Sequence, residues 1–229
     1  TYRLIPFGMA ASILLFMRFR KTAVQQEKKE KTPNTAFRKT FKKHLYLFIL
    51  IAGIILFRAF MKSAIINFLP TYLKARGESL WFGGLSLSVY QLSGAAGAFF
   101  AGNLSDRLGR SNTLLFITIL TPLLMLLFVF AEGFWVIPVL ILMGFFILAS
   151  GPVVLALVMD NATENQSFMN GIYMTITFVS GSLSALLIGI MGDWFGLVST
   201  FKIAAFLALL AIPFVLVLFR HNRRSIPSG

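Results

Sequence analysis

The chain has 229 residues, of which 57% are hydrophobic and 13% are charged, and its formal net charge is +13. So few charged groups cannot cover the surface of a water-soluble protein, and the composition therefore excludes a soluble globular domain. The sequence has no cysteine and only two histidines, His44 and His221, which excludes disulfides and a histidine-rich metal site in this chain. We accordingly expect no metal and no other cofactor.

Long uncharged runs predict membrane-spanning helices. A helix needs about 20 apolar residues to cross a hydrocarbon core about 30 Å thick, and the uncharged runs reach that length several times. Only helices and closed barrels satisfy the backbone in lipid, and barrel strands would show short alternating segments instead of continuous runs. The sequence therefore predicts an all-α transmembrane fold.

In chain order, the first element is an apolar stretch at residues 1–17, which we interpret as the end of a helix that begins upstream. Residues 18–44 form a basic linker with ten Lys and Arg, and its high charge predicts a largely disordered or membrane-surface segment. A transmembrane domain at 45–219 follows, with a tail at 220–229. Its six predicted spans lie at 45–73, 80–102, 112–131, 134–159, 168–191 and 199–219.

The basic residues predict the orientation of the spans. Short connections make consecutive spans antiparallel, which places the linker, the connection at 102–110 and the tail on one side of the membrane. Most of the Lys and Arg lie on that side, so the positive-inside rule predicts a cytoplasmic linker and tail in a plasma (inner) membrane. The net charge then reports topology, and we expect no nucleic-acid partner.

The connection at 102–110, the charged turn, joins two uncharged runs. It contains Asp106, Arg107 and Arg110. On one interpretation these charges only mark a short cytoplasmic loop. On the other they form a gate, in which Arg110 pairs with a carboxylate on the same side of the membrane. The best candidate is Asp160, at the end of the span 134–159.

The charged turn resembles a known family signature. Its pattern G-x-x-x-D-R-x-G-R, formed by Gly102, Asp106, Arg107, Gly109 and Arg110, is similar to the loop signature of the major facilitator superfamily of secondary transporters. In that family the signature recurs between the second and third helices of each six-helix half. The resemblance implies the C-terminal six-helix half of a twelve-helix fold, with an N-terminal half as its partner.

A narrower resemblance rests on the first full span. Arg58 and the sequence NFLPTYL at 67–73 are similar to the fosmidomycin-resistance type of drug exporter within the same superfamily. This resemblance implies export of a small organic anion, a drug or a metabolite, coupled to protons.

Four polar residues inside the spans are candidate substrate contacts. Arg58 lies thirteen residues into its span, about 20 Å along the helix, where an ionisable group is costly and usually faces a cavity or a partner. Lys62 lies one turn further on the same face, and the alternative is that its side chain extends to the membrane surface. Tyr90 and Gln91 lie near the middle of the next span; ordinary contacts between helices are the alternative for both.

Two observations limit this candidate site. Asn67 lies on the opposite side of an ideal helix from Arg58, so we expect it to join the site only if the helix breaks before Pro70. The eight Asp and Glu residues all lie in predicted loops or at the ends of spans. A proton-carrying acid is therefore expected in the other half of the protein.

Small residues recur every four positions on two spans, which lets helix backbones approach closely. Two explanations fit these stripes: packing within this half, or contact with the other half. The stripes are Gly94, Ala98 and Gly102 on one span, and Gly181, Ala185 and Gly189 on the other.

The leading functional hypothesis is secondary active transport by alternating access in the lipid bilayer. Uptake of an organic anion on the same scaffold is the first alternative, and a non-transporting membrane receptor or scaffold is the second. An enzyme is disfavoured, since no histidine or carboxylate pair lies within the membrane for acid-base chemistry.

Overall fold

The computed structural model describes residues 34–161 and 166–224. The predicted helix end at 1–17, the linker up to residue 33 and the end of the tail lie outside these ranges. In the described ranges the chain is helical and contains no strand. A 3-10 turn, Gly133–Trp135, precedes the fourth helix. The helices are α1 (Asn34–Ala75), α2 (Leu80–Leu108), α3 (Arg110–Phe130), α4 (Val136–Asp160), α5 (Gln166–Phe195), α6 (Leu197–Leu209) and α7 (Ala211–Arg224).

Five helical segments among the described residues are long and apolar enough to cross a membrane. These segments are His44–Ala75, Arg110–Phe130, Gly133–Asp160, Gln166–Phe195 and Leu197–Arg220, the last of which joins α6 and α7. The remaining predicted span is α2, whose 29 residues are long enough. Its many glycines and serines make it less apolar than the others, and several of them pack against α4.

Helix α1 begins well before its apolar part. The helix starts at Asn34, directly after Pro33, whereas the segment apolar enough to cross a membrane starts at His44. The boundary placed at residue 45 thus marks the change in polarity, and residues 34–44 of the basic linker are helical. No proline or glycine interrupts this stretch, so the helix continues through it.

A glycine in the left-handed region separates α2 from α3. Gly109 has φ +85°, a conformation that residues with a Cβ adopt only with strain. The first turn of α3 is closed by Thr113, whose backbone N–H and hydroxyl both donate to the Gly109 carbonyl at 3.0 Å. This tight connection brings the charges at the end of α2 and the start of α3 together.

The two ends of the bundle are held by different contacts. At one end, the Arg110 end, the α2–α3 connection lies beside the last turn of α4. At the other, the Arg76 end, Arg76 donates to the Val129 carbonyl at 3.3 Å and pairs with Glu132 at 3.4 Å. The ends of α1 and α3 therefore meet there, as the antiparallel order of the spans requires.

Aromatic side chains reinforce the Arg76 end. Tyr72 stacks on Phe201 with ring centroids 4.2 Å apart, and its ring lies 5.5 Å from that of Phe128. Each such pair contributes about 0.5–1.5 kcal/mol beyond its buried area. The cluster joins α1, α3 and α6 in the core.

The chain's three tryptophans also lie at the Arg76 end. Trp81 lies in the first turn of α2, Trp135 directly precedes α4, and Trp194 lies in the last turn of α5. All three side chains are exposed. Tryptophan is enriched at the level of the lipid headgroups, so these residues mark one membrane-water interface.

Helices α2 and α4 pack at backbone contact. A Cβ added at Gly97 would overlap the Phe145 carbonyl, and one added at Gly144 would overlap the Tyr90 carbonyl. A Cβ added at Gly94 would lie 2.5 Å from a side-chain atom of Leu148 of α4, whereas nothing lies within 4 Å of a Cβ at Gly102. The start of the first small-residue stripe thus packs within this half, and Gly102 does not contribute to that packing.

Candidate functional site

A cavity of about 200 Å³ lies among α1, α4 and α5. Arg58 and Lys62 of α1 both line it, so the structure brings together two of the predicted substrate contacts. From α4 the lining includes Ser150 and Gly151, and four isoleucines and one valine contribute apolar walls. The cavity therefore combines two cations with an apolar surface.

Arg58 is the most unusual residue of the cavity. It lies fourteen residues after His44, where the span begins, which is about 21 Å along the helix. Its exposure is 7%, and its Nε and Nη1 atoms have no hydrogen-bond partner among the described residues. Buried polar groups are nearly always paired. Arg58 therefore has donors free for an anion.

Lys62, one turn further along α1, is exposed at the same cavity. None of the ion pairs between described residues includes it. Its flexible four-carbon side chain allows the ammonium group to change position at the cavity opening.

Tyr90 and Gln91 do not line this cavity. Tyr90 is fully buried on the face of α2 that packs on α4, and its hydroxyl has no partner among the described residues. Gln91 is exposed on another face of α2. Consecutive residues on a helix are rotated by about 100° relative to each other, so the side chains of Tyr90 and Gln91 point in different directions.

The expectation for Asn67 is wrong. Asn67 lines the cavity together with Arg58, although α1 continues unbroken through Pro70. The lining residues of α1 shift around the helix from Ile54 to Asn67, so the cavity runs obliquely along α1. A residue on the opposite side of an ideal helix therefore reaches it.

Helix α5 contributes cavity residues that the sequence reasoning did not assign to the site, although it named Gly181 as part of a small-residue stripe. Tyr173, Thr177 and Gly181 line the cavity at intervals of four residues. The Tyr173 hydroxyl donates to the Gly151 carbonyl at 3.1 Å, and the Ser63 hydroxyl donates to the Gly181 carbonyl at 3.4 Å. Their spacing of four residues forms a stripe of polar and small residues on an otherwise apolar span. This stripe is the sequence signal that could have identified them as cavity residues.

The charged turn is organised around Arg110. Its Nη1 lies 2.5 Å from Asp160 Oδ2 and also donates to the Ala156 carbonyl, and its Nη2 lies 3.4 Å from Asp106 Oδ1. The guanidinium group thus joins the end of α2 to the last turn of α4, where a cation is favoured by the helix dipole.

The other members of the signature have different positions. Arg107 is exposed and makes none of the contacts of Arg110. Gly102 lies one turn before Asp106 and accepts from the Ser105 hydroxyl at 2.9 Å. Gly109 supplies the positive φ of the connection.

Comparison with known proteins identifies the family. The family model of the Major Facilitator Superfamily matches residues 3–185 and 51–228. The chain therefore belongs to the Major Facilitator Superfamily. The predicted all-α transmembrane fold and the C-terminal half are confirmed, and the family and fold are those of transporters, not enzymes.

Curated relatives include two proteins named for drug resistance. The chain is 31% identical over 165 residues to a multi-drug resistance efflux pump PmrA homolog of Lactococcus lactis, and 35% identical over 169 residues to the multidrug resistance protein MdtG of Proteus mirabilis. Each alignment covers 69% of this chain and 40% of the relative. The chain thus spans well under two thirds of the length of these relatives.

A solved structure shares the fold. The outward conformation of FucP, a Major Facilitator Superfamily transporter, matches with a TM-score of 0.68 at 17% sequence identity. The match covers 84% of this chain and 48% of FucP.

Proposed function

We propose that the complete protein is a secondary active transporter that exports a small organic anion by alternating access, coupled to protons. The observation that carries this proposal is Arg58, a buried cation at mid-depth in the membrane with free donors in a cavity. A cation at this depth costs on the order of 3 kcal/mol on insertion scales. Binding of an anion offsets that cost.

The named relatives support export as the direction. Two of them are called a multi-drug resistance efflux pump homolog and a multidrug resistance protein. No Asp or Glu lines the cavity among the described residues, so we assign the proton-carrying acid to the other half. The narrower similarity to the fosmidomycin-resistance type stays a prediction.

An N-terminal six-helix half is the proposed partner of this chain. Helix α5 supports this assignment, because only 17% of its most apolar 18-residue stretch is buried within this chain. The corresponding share for α3 is 56%. The cavity lies beside α5, so a second half placed against this helix would complete the cavity walls.

We further propose that the linker and the tail are cytoplasmic in the plasma membrane. The charged turn and the end of α7 carry the basic residues of one side, and the tryptophans mark the other interface. This chain has no cysteine, so in a full-length protein whose other half has also been made cysteine-free, single substitutions such as Asn103→Cys and Ser79→Cys provide labels for opposite sides. A membrane-impermeant maleimide added to intact cells should label only Ser79→Cys.

Transport should require both halves, because the central cavity is shared between them. We expect residues 1–229 reconstituted alone in proteoliposomes to show no substrate-specific flux, whereas the full-length protein shows saturable flux driven by a pH gradient. Saturable flux from residues 1–229 alone would refute the proposed partner half. Substrate binding by the full-length protein without flux would instead indicate a receptor or scaffold, and inward flux would indicate uptake.

The contacts of Arg110 are expected to act on gating more than on folding. The Arg110 and Asp106 side chains are 28% and 62% exposed, and exposed ion pairs contribute only about 0.2–1 kcal/mol. We expect Asp106→Asn to slow transport while leaving the melting temperature nearly unchanged.

The pairing itself is tested by a double-mutant cycle on transport rate. Arg110→Ala and Asp160→Ala should be non-additive, with a coupling of about 0.5 kcal/mol or more. Arg107→Ala, which removes an exposed neighbour, is the matched control and should combine additively with Asp160→Ala. Strict additivity for Arg110 as well would leave it as a marker of topology.

A further inference from the structure

The charges that the described residues of this chain place around the cavity do not balance. Arg58 and Lys62 contribute two positive charges four residues apart on α1, and the described lining residues include no Asp or Glu. The ion pairs between described residues lie at the two ends of the bundle and include neither cation. Like charges at this spacing repel each other, and burial strengthens the repulsion. A single negative charge would neutralise only one of them.

The two cations present different chemistry to a ligand. Arg58 is buried, and its guanidinium fork holds a planar acidic group by two parallel hydrogen bonds. Lys62 is exposed and offers a mobile point charge at the cavity opening. The buried guanidinium group and the exposed ammonium group therefore lie at different depths of the cavity, an arrangement suited to two acidic groups of one ligand.

The rest of the lining is suited to a hydrocarbon frame. Ile54, Ile66, Ile147 and Val154 face the cavity. The polar side chains beside them are those of Ser63, Asn67, Ser150, Tyr173 and Thr177. Pockets of this kind bind an apolar body and orient it through a few polar contacts.

We infer that the cavity binds an organic dianion with two separate acidic groups on an apolar frame, one group at Arg58 and the other at Lys62. This inference rests on the proposed function, since it takes the cavity to be the substrate site, and it adds a substrate class. Neutral and cationic solutes, and anions with one acidic group, provide no negative charge for at least one of these two cations.

The test uses the full-length protein in detergent, with binding measured by titration calorimetry at pH 8. Terephthalate carries two carboxylates on a benzene ring, and benzoate carries one on the same ring. We expect terephthalate to bind at least about tenfold more tightly than benzoate. Equal affinities, or no measurable binding of terephthalate, would overturn the inference.

Substitution of Lys62 distinguishes the ligand contact at Lys62 from the contact at Arg58. Lys62→Gln should lower terephthalate affinity about tenfold and leave benzoate affinity within about twofold, because benzoate is held at Arg58. Lys74→Gln, which removes an exposed lysine in the last turn of the same helix, is the matched control and should change neither affinity. An unchanged ratio in Lys62→Gln would show that Lys62 does not contact the ligand.

A third probe distinguishes total charge from two separate groups. Phenyl phosphate holds both charges in one group at pH 8, since its second pKa is about 6. We expect it to bind more weakly than terephthalate, and equal binding would refute the requirement for separate groups. Flux of a solute with one acidic group, without terephthalate binding, would overturn the dianion inference and leave the transporter function standing. Terephthalate binding without flux of any solute would support the dianion inference and refute the transporter function.

Discussion

Replacing Arg58 with glutamine is expected to reduce anion affinity by about 30-fold or more. Loss of one partner from a buried charge pair costs about 2 kcal/mol or more, and 1.4 kcal/mol corresponds to a factor of ten in affinity. The ligand-free protein should remain folded, because the substitution removes a buried cation whose Nε and Nη1 atoms lack partners among the described residues. Calorimetry and the melting temperature of the full-length protein measure the two effects.

Arg58→Lys tests the geometry of the contact. Lysine keeps the positive charge but loses the planar fork that binds an acidic group through two hydrogen bonds. We expect this variant to bind the anion markedly more weakly than the native protein. Arg220→Gln, which removes an exposed arginine at the end of the bundle, is the control for a change in net charge.

Two other outcomes have distinct meanings. If Arg58 pairs with a carboxylate of the other half, Arg58→Ala should impair folding, and removal of both charges should restore it. If Arg58→Gln leaves expression, affinity and turnover unchanged, Arg58 reaches water without a partner and the anion site has to be abandoned.

The helical, membrane-spanning character of the chain follows from the sequence alone. Uncharged runs about 20 residues long can only be helical in lipid, and five of the described helical segments are long and apolar enough to cross a membrane. The contact of Arg110 with Asp160 was predictable for a related reason, since antiparallel spans place both charges at the same end of the bundle. The start of α1 could not be predicted in this way, because the helix continues across the change from polar to apolar residues.

The lateral arrangement of the helices could not be predicted in the same way. Hydropathy fixes the depth of a residue but not which helix lies beside it, so Arg58 and Lys62 were identified without Tyr173 or Thr177. Tyr90 has the expected depth, but the packing of α2 on α4 directs its side chain into the core.

Close packing between α2 and α4 is the basis of the last prediction, that Gly97→Ala destabilises the protein. The added methyl group would overlap the backbone carbonyl of Phe145, which cannot rotate away as a side chain can, so the two helices have to separate. Overpacking of this kind costs about 1–3 kcal/mol. The melting temperature of the full-length protein in detergent should fall accordingly.

Gly84→Ala on the same helix is the matched control. Nothing lies within 4 Å of a Cβ at Gly84, and alanine is favoured over glycine in a helix by about 0.5–1 kcal/mol. This variant should therefore be as stable as the native protein or slightly more stable. Equal stability of the two variants would show that α2 and α4 are not in contact at Gly97. Because α2 carries Asp106 and α4 carries Asp160, separation of these helices should also weaken the contacts of Arg110. The coupling between Arg110 and Asp160 should accordingly fall in Gly97→Ala and persist in Gly84→Ala.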